Sequence, residues 1–141
     1  MGNDLFSNLS DVRAWRGDGA EVSPFDFVAL EGKPSLLFAY AALMDPDLIK
    51  FKDRFYLANG FKEELILEWE KKGVRDDEAQ RIINHVHIRY FMQDDDEDVE
   101  MLSEAARVLR SVWRKTLPAG VVIDIMESGS PDVALTFYQV L

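Results

Sequence analysis

The chain has 141 residues, 26 of them acidic and 16 basic, for a formal net charge of −10. A net anion is repelled by nucleic acid and by anionic membrane, so neither is expected as a partner. The absence of cysteine excludes disulfides, thiolate catalysis and cysteine-ligated zinc, and fits a reducing cytoplasm.

Met1–Ser10 has no basic patch leading into an apolar core, so no signal peptide is expected there. The longest apolar run, Leu36–Met44, falls well short of the roughly 20 residues that a helix needs to span a bilayer. A cytoplasmic location follows as the expectation. The length suits one domain over residues 1–141, and the apolar content of 48% is enough for a core of its own.

In chain order, residues 1–24 read as irregular, with a short amphipathic helix over Leu5, Phe6, Leu9, Val12 and Trp15 that Gly17 and Gly19 break. Phe25–Leu30 reads as a strand, followed by a turn at Gly32, Lys33 and Pro34. Ser35–Met44 has the length of a helix or of a buried strand; Ala39, Ala41 and Ala42 favour helix, and Asp45 and Pro46 end it. Leu48–Leu57 reads as a strand or hairpin.

Phe61–Lys72 is predicted helical. Asn59 or Gly60 is the expected cap, Glu63 and Glu64 suit the first turn, and Gly73 suits the stop. Asp76–Met92 is predicted helical at least to His87, with Ala79, Ile82, Ile83, Val86 and Tyr90 on the apolar face and Asp76 and Asp77 as the cap. A strand over Val86–Met92 is the competing reading. Glu97–Leu117 is the clearest helix, with an apolar stripe of Met101, Ala105, Val108 and Val112 flanked by Leu102, Leu109 and Trp113. Pro118 and Gly120 stop it. Val121–Met126 and Val133–Val140 then form an antiparallel hairpin around Glu127–Asp132.

Strands towards both ends with helices grouped between them indicate an α+β fold: a small antiparallel sheet, made of N-terminal strand or strands plus the C-terminal hairpin, with helices on one face.

Several residue groups have the composition of a chemical site. His85 and His87 could share a metal from a strand, where both point to one face. On the preferred helix they lie about 200° apart, so no metal site is expected. Asp94, Asp96 and Asp98 have the spacing of a calcium loop, but Val99 and Ala105 stand where an EF-hand needs glycine and a bidentate glutamate. Arg107, Arg110 and Arg114, with Ser103 on the same side, read as a solvated helical face with a Glu104–Arg107 pair. Ser128-Gly129-Ser130 lacks the frame of a nucleophile elbow. Arg16-Gly17-Asp18-Gly19 reads as a plain turn. No cofactor motif occurs. Trp15, Trp69 and Trp113 read as core packing.

Two functional readings of different class follow. The leading one is a non-enzymatic interaction protein, acidic in the manner of immunity proteins or antitoxins, which binds a basic protein partner through Asp94, Asp95, Asp96, Glu97, Asp98, Glu100 and Glu104. The alternative is a small-molecule-binding protein or enzyme, with a pocket near Asn84, His87 and Tyr90. A homodimer paired through a sheet edge at Val133–Leu141 is a third possibility.

Overall fold

A computed structural model describes Ser7, Leu9, Val12–Ala14, residues 23–91, 99–127 and 132–140. The chain is α+β and divides into two compact units, Met1–Ala41 and Ala42–Leu141. Asp94–Asp98, Trp15, the Arg16–Gly19 turn and Ser128–Ser130 lie outside the described residues. Within the helix predicted over Leu5–Trp15, Ser7 and Val12–Ala14 are described and helical, and the Arg13 amide donates to the Leu9 carbonyl at 2.9 Å.

The first unit carries α1 (Pro24–Glu31) and most of α2 (Pro34–Met44). The strand expected at Phe25–Leu30 is thus a helix. Its start is set by Ser23. The Ser23 hydroxyl accepts from the Asp26 amide at 3.1 Å, the Asp26 carboxylate accepts from the Ser23 amide at 3.3 Å, and Pro24 occupies the first turn. This reciprocal cap satisfies helix-terminal donors that a strand would not present. Gly32 ends α1, and a Cβ there would lie 2.4 Å from the Val28 carbonyl oxygen, so any side chain would push the stop apart.

The second unit holds β1 (Leu48–Phe51), β2 (Arg54–Leu57), α3 (Glu63–Lys71), α4 (Asp76–Ile83), β3 (Val86–His87), a 3-10 turn (Ile88–Phe91), α5 (Val99–Thr116), β4 (Val121–Glu127) and β5 (Val133–Gln139). β1 and β2 form the expected hairpin, turning through Lys52 and Asp53 at φ 49° and 62°. Two positive φ values suit the right-handed twist of a tight hairpin.

Among the described residues there are two sheets instead of one: β1-β2, and a three-stranded antiparallel sheet in the order β3-β5-β4. β5 is therefore the central strand, paired with β4 over its whole length and with β3 at Ala134 and Leu135. The sheet-edge expectation for Val133–Leu141 is corrected accordingly; β4 is the long outer strand.

α3 starts after Lys62, which makes no side-chain cap, and not at Asn59 or Gly60. Its end is as expected. Gly73 adopts φ +79°, its amide donates to the Glu70 carbonyl at 3.0 Å, and the Val74 amide donates to that of Trp69 at 3.0 Å. These two bonds use carbonyls that the helix end leaves open.

α4 ends at Ile83, because Asn84 leaves the helix to serve the sheets, and the chain continues as β3. Helix through His87 is therefore wrong. The cap is Arg75, whose amide donates to Glu78 at 3.4 Å, with Asp76 and Asp77 in the first turn. The buried face of α4 is Ala79, Gln80 and Asn84, while Ile82 is exposed.

α5 buries Leu102, Ala106, Leu109 and Trp113 against Leu135 and Phe137 of β5. The core stripe is shifted by one residue from the expected Met101–Val112 stripe, whose members are half-buried. Ser103 is buried as well, so it does not share the solvated side of Arg107 and Arg114. The Trp113 ring meets Phe137 edge-on at 5.6 Å, and its indole N–H donates to the Leu43 carbonyl at 2.9 Å. A second cluster joins Tyr56, Ile66 and Ala79, with Phe61 and Trp69 packed against them. α5 covers one face of the three-stranded sheet, as expected. α4 adds cover to the other face of β5, where the Thr136 hydroxyl donates to the Arg81 carbonyl at 2.9 Å and the Arg81 guanidinium lies 3.5 Å from the centre of the Tyr138 ring.

Candidate functional site

The second unit carries three polar constellations. The first is structural. Gln80 and Asn84, one helical turn apart on α4, reach between β2 and β5. The Asn84 amide accepts from the Leu57 N–H at 2.8 Å and donates to the carbonyls of Phe55 at 3.0 Å and Phe137 at 3.1 Å. Gln80 donates to the Phe55 carbonyl at 3.0 Å and accepts from the Gln139 N–H at 2.9 Å. The Gln139 side chain closes the set by accepting from the Phe55 N–H at 2.9 Å. Arg54, itself buried, donates to the Gln139 carbonyl at 2.7 Å and pairs with Asp76 at 3.4 Å. Side-chain amides here replace the backbone ladder that β2 and β5 do not form, which explains why the sheet is divided. Asn84 therefore belongs to the scaffold and not to a pocket with His87.

The second lies on the far face of the sheet. Asp124 accepts from the Tyr138 hydroxyl at 3.0 Å and pairs with Arg81 at 3.3 Å. Burial, then the Asp124 hydrogen bond, raises the Tyr138 pKa above the ordinary phenol value. Its donors and acceptors satisfy one another.

The third is the histidine pair. Because β3 begins where α4 has ended, His85 and His87 share one face of extended chain. Their Nε2 atoms lie 3.1 Å apart, with the rings edge to face. The antiparallel register sets His87 opposite Ala134, which makes Asp132 its diagonal neighbour, and His87 Nδ1 lies 2.9 Å from the Asp132 carboxylate. His85 Nδ1 is bonded to the Ile82 carbonyl. His87 and Asp132 are each about one-third exposed, so the pair is open to solvent. The Tyr90 ring stands 5.2 Å from that of His87, but Tyr90 itself is largely exposed.

Of the expected acidic surface, Glu100 is exposed and Glu104 pairs with Arg107 at 3.1 Å, as the helical spacing predicted. Two clefts are described. One, of about 520 Å³, is lined by Arg54, Gly73–Asp77, Gln139 and Val140; its arginines are neutralised by Asp76 and Asp77. The other, of about 340 Å³, lies along Trp113–Ile123. Neither is lined by Asn84, His87 or Tyr90. Among the described residues, no group of three or more histidines and carboxylates is placed to hold a metal ion, and no helix is long and apolar enough to cross a membrane.

The feature that sequence reasoning missed lies in the first unit. α1 and α2 bury none of their residues. Phe25 is 88% exposed, Phe38 73%, and Val28, Leu30, Leu36 and Leu37 at least half. The absence of any charge over Pro34–Met44 was the available signal. Compared with protein-family models, with curated proteins and with solved structures, the chain matches none.

Proposed function

We propose that this chain is a non-enzymatic interaction protein, and that α1 and α2 supply its contact surface. The observation that carries the reading is the exposure of large apolar side chains on both helices. Contiguous exposed apolar surface marks interaction sites in folded proteins, and a helix that is apolar all round is made to be enclosed.

The enclosing body is a protein. α2 has 11 residues, about half the length that a bilayer needs, and the net charge opposes an anionic membrane surface. Between Pro24 and Asp47 the acids are Asp26, Glu31, Asp45 and Asp47, against the single base Lys33. The partner that fits is an apolar groove with a basic rim. Anchors such as Phe38 give the affinity. The overall charge, to which Asp94–Asp98, Glu100 and Glu104 contribute, accelerates the encounter and makes it salt-sensitive.

The test is capture with the tagged full chain from lysate of its own source, at low and at high salt, beside a Leu37→Glu/Phe38→Glu variant. A stoichiometric basic protein is expected, retained by the native chain, reduced at high salt and lost with the variant. Equal recovery on the variant would refute the assigned surface. A concentration-dependent dimer of the purified chain, abolished by the same variant, would replace the basic partner with a second copy.

A further inference from the structure

We propose that His85 and His87 form a two-nitrogen binding site for a transition-metal ion, independently of the α1–α2 surface. Which ring nitrogens carry protons is set by their partners. The Ile82 carbonyl and the Asp132 carboxylate can only accept, so each imidazole donates from Nδ1: His85 to Ile82 and His87 to Asp132. In neutral imidazoles the proton is then used up, and both Nε2 atoms present a lone pair. The two Nε2 atoms stand 3.1 Å apart. Lone pairs this close repel unless a cation, a proton or a metal ion, lies between them.

A metal ion fits this arrangement. At nitrogen–metal distances of about 2.0–2.1 Å, two tetrahedral ligands stand roughly 3.3–3.4 Å apart, so a slight opening of the rings suffices. Both Nδ1 partners are of the kind that orients metal-binding histidines, a carboxylate on one ring and a backbone carbonyl on the other. The backbone fixes the site as well. Val86 packs against the main core between the two histidines, and the β3–β5 register holds Asp132 against His87. Imidazole nitrogens select zinc, copper or nickel over calcium and magnesium. Among the described residues no third side chain is placed to complete the site, so water or another molecule's ligand would fill the remaining coordination positions.

The chain's many carboxylates also attract divalent ions, so the test must identify nitrogen. Copper(II) is added to the full chain at one equivalent near neutral pH, and its electron paramagnetic resonance is read for nitrogen coupling. Coupling to two imidazoles is expected, and copper is expected to outcompete zinc for the same two nitrogens. His85→Ala and His87→Ala should each remove one nitrogen from the spectrum. Asp132→Asn should weaken zinc binding by about ten-fold or more while leaving both nitrogens in place. A copper spectrum of oxygen ligands only, or zinc affinity unchanged in the His85→Ala/His87→Ala variant, would overturn the proposal. So would a pair that binds neither metal and holds a shared proton between the two Nε2 atoms by nitrogen-15 resonance. The native-chain spectrum decides even if a variant fails to fold.

Discussion

In the second unit, Gln80 and Asn84 are fully buried and their amide groups are spent on backbone partners; in the first, Phe25 and Phe38 stand in solvent. Each arrangement reverses the usual sorting of side chains. The difference lies in compensation. The buried amides replace a missing ladder between β2 and β5, and among the described residues no buried side-chain polar atom lacks a partner. The rings of Phe25 and Phe38 stay largely exposed. A satisfied exception is scaffold, and the exposed one is the surface we assign to a partner. This contrast separates Asn84, expected beside a pocket, from the surface that carries the proposed function.

The contrast can be broken first at its stable end. Trp113 is fully buried, with its indole N–H bonded to Leu43. Trp113→Ala should cost about 3–5 kcal/mol in urea unfolding, through the cavity and the lost ring contacts. Asn84→Ala should follow at about 2–3 kcal/mol, because it strands the Leu57 N–H and two carbonyls between the sheets. If Asn84→Ala were neutral, the amide bridge would not be what holds β2 beside β5.

The effect of pH is smaller and has a defined sign. Burial, with the Asp76 carboxylate next, raises the Tyr56 pKa, and burial with the Asp124 hydrogen bond raises that of Tyr138. The folded state thus holds these phenol protons more tightly than the unfolded chain does. Their contribution is complete below the unfolded value of about 10 and is lost as pH rises through the folded values. Urea midpoints should therefore fall in that alkaline range, and ultraviolet titration should show both phenols ionising late. Tyr138→Phe should remove part of that alkaline loss.

The sequence was most legible where several local signals agreed. α3 ends on Lys71, Lys72 and Gly73, and α5 has an unbroken helical period with acids leading and bases trailing. The C-terminal hairpin was readable from two apolar runs around a turn. α1 was misread because Phe25, Phe27 and Val28 resemble strand residues; Ser23, Pro24 and Asp26 held the contrary signal. The β1–β2 hairpin was less clear because Lys52 and Asp53, in place of Asn-Gly, adopt the positive φ values of the turn. The end of α4 was not readable, since Asn84 stops the helix by bonding to strands distant in the sequence. For the same reason the histidine pair was hidden: on a helix the two rings diverge, and only the turn into β3 brings them together. Of the expected acidic surface, Glu104 was readable through its helical partner Arg107.

The central claim is that Leu37 and Phe38 stand in solvent in the isolated chain, and urea unfolding of Leu37→Glu/Phe38→Glu tests it most directly. Exposed positions tolerate such changes within about 0.5 kcal/mol, so the midpoint and slope should match the native chain. A loss of more than about 2 kcal/mol, on the scale of burying an unpaired charge, would show that the chain covers these helices itself and would contradict the account.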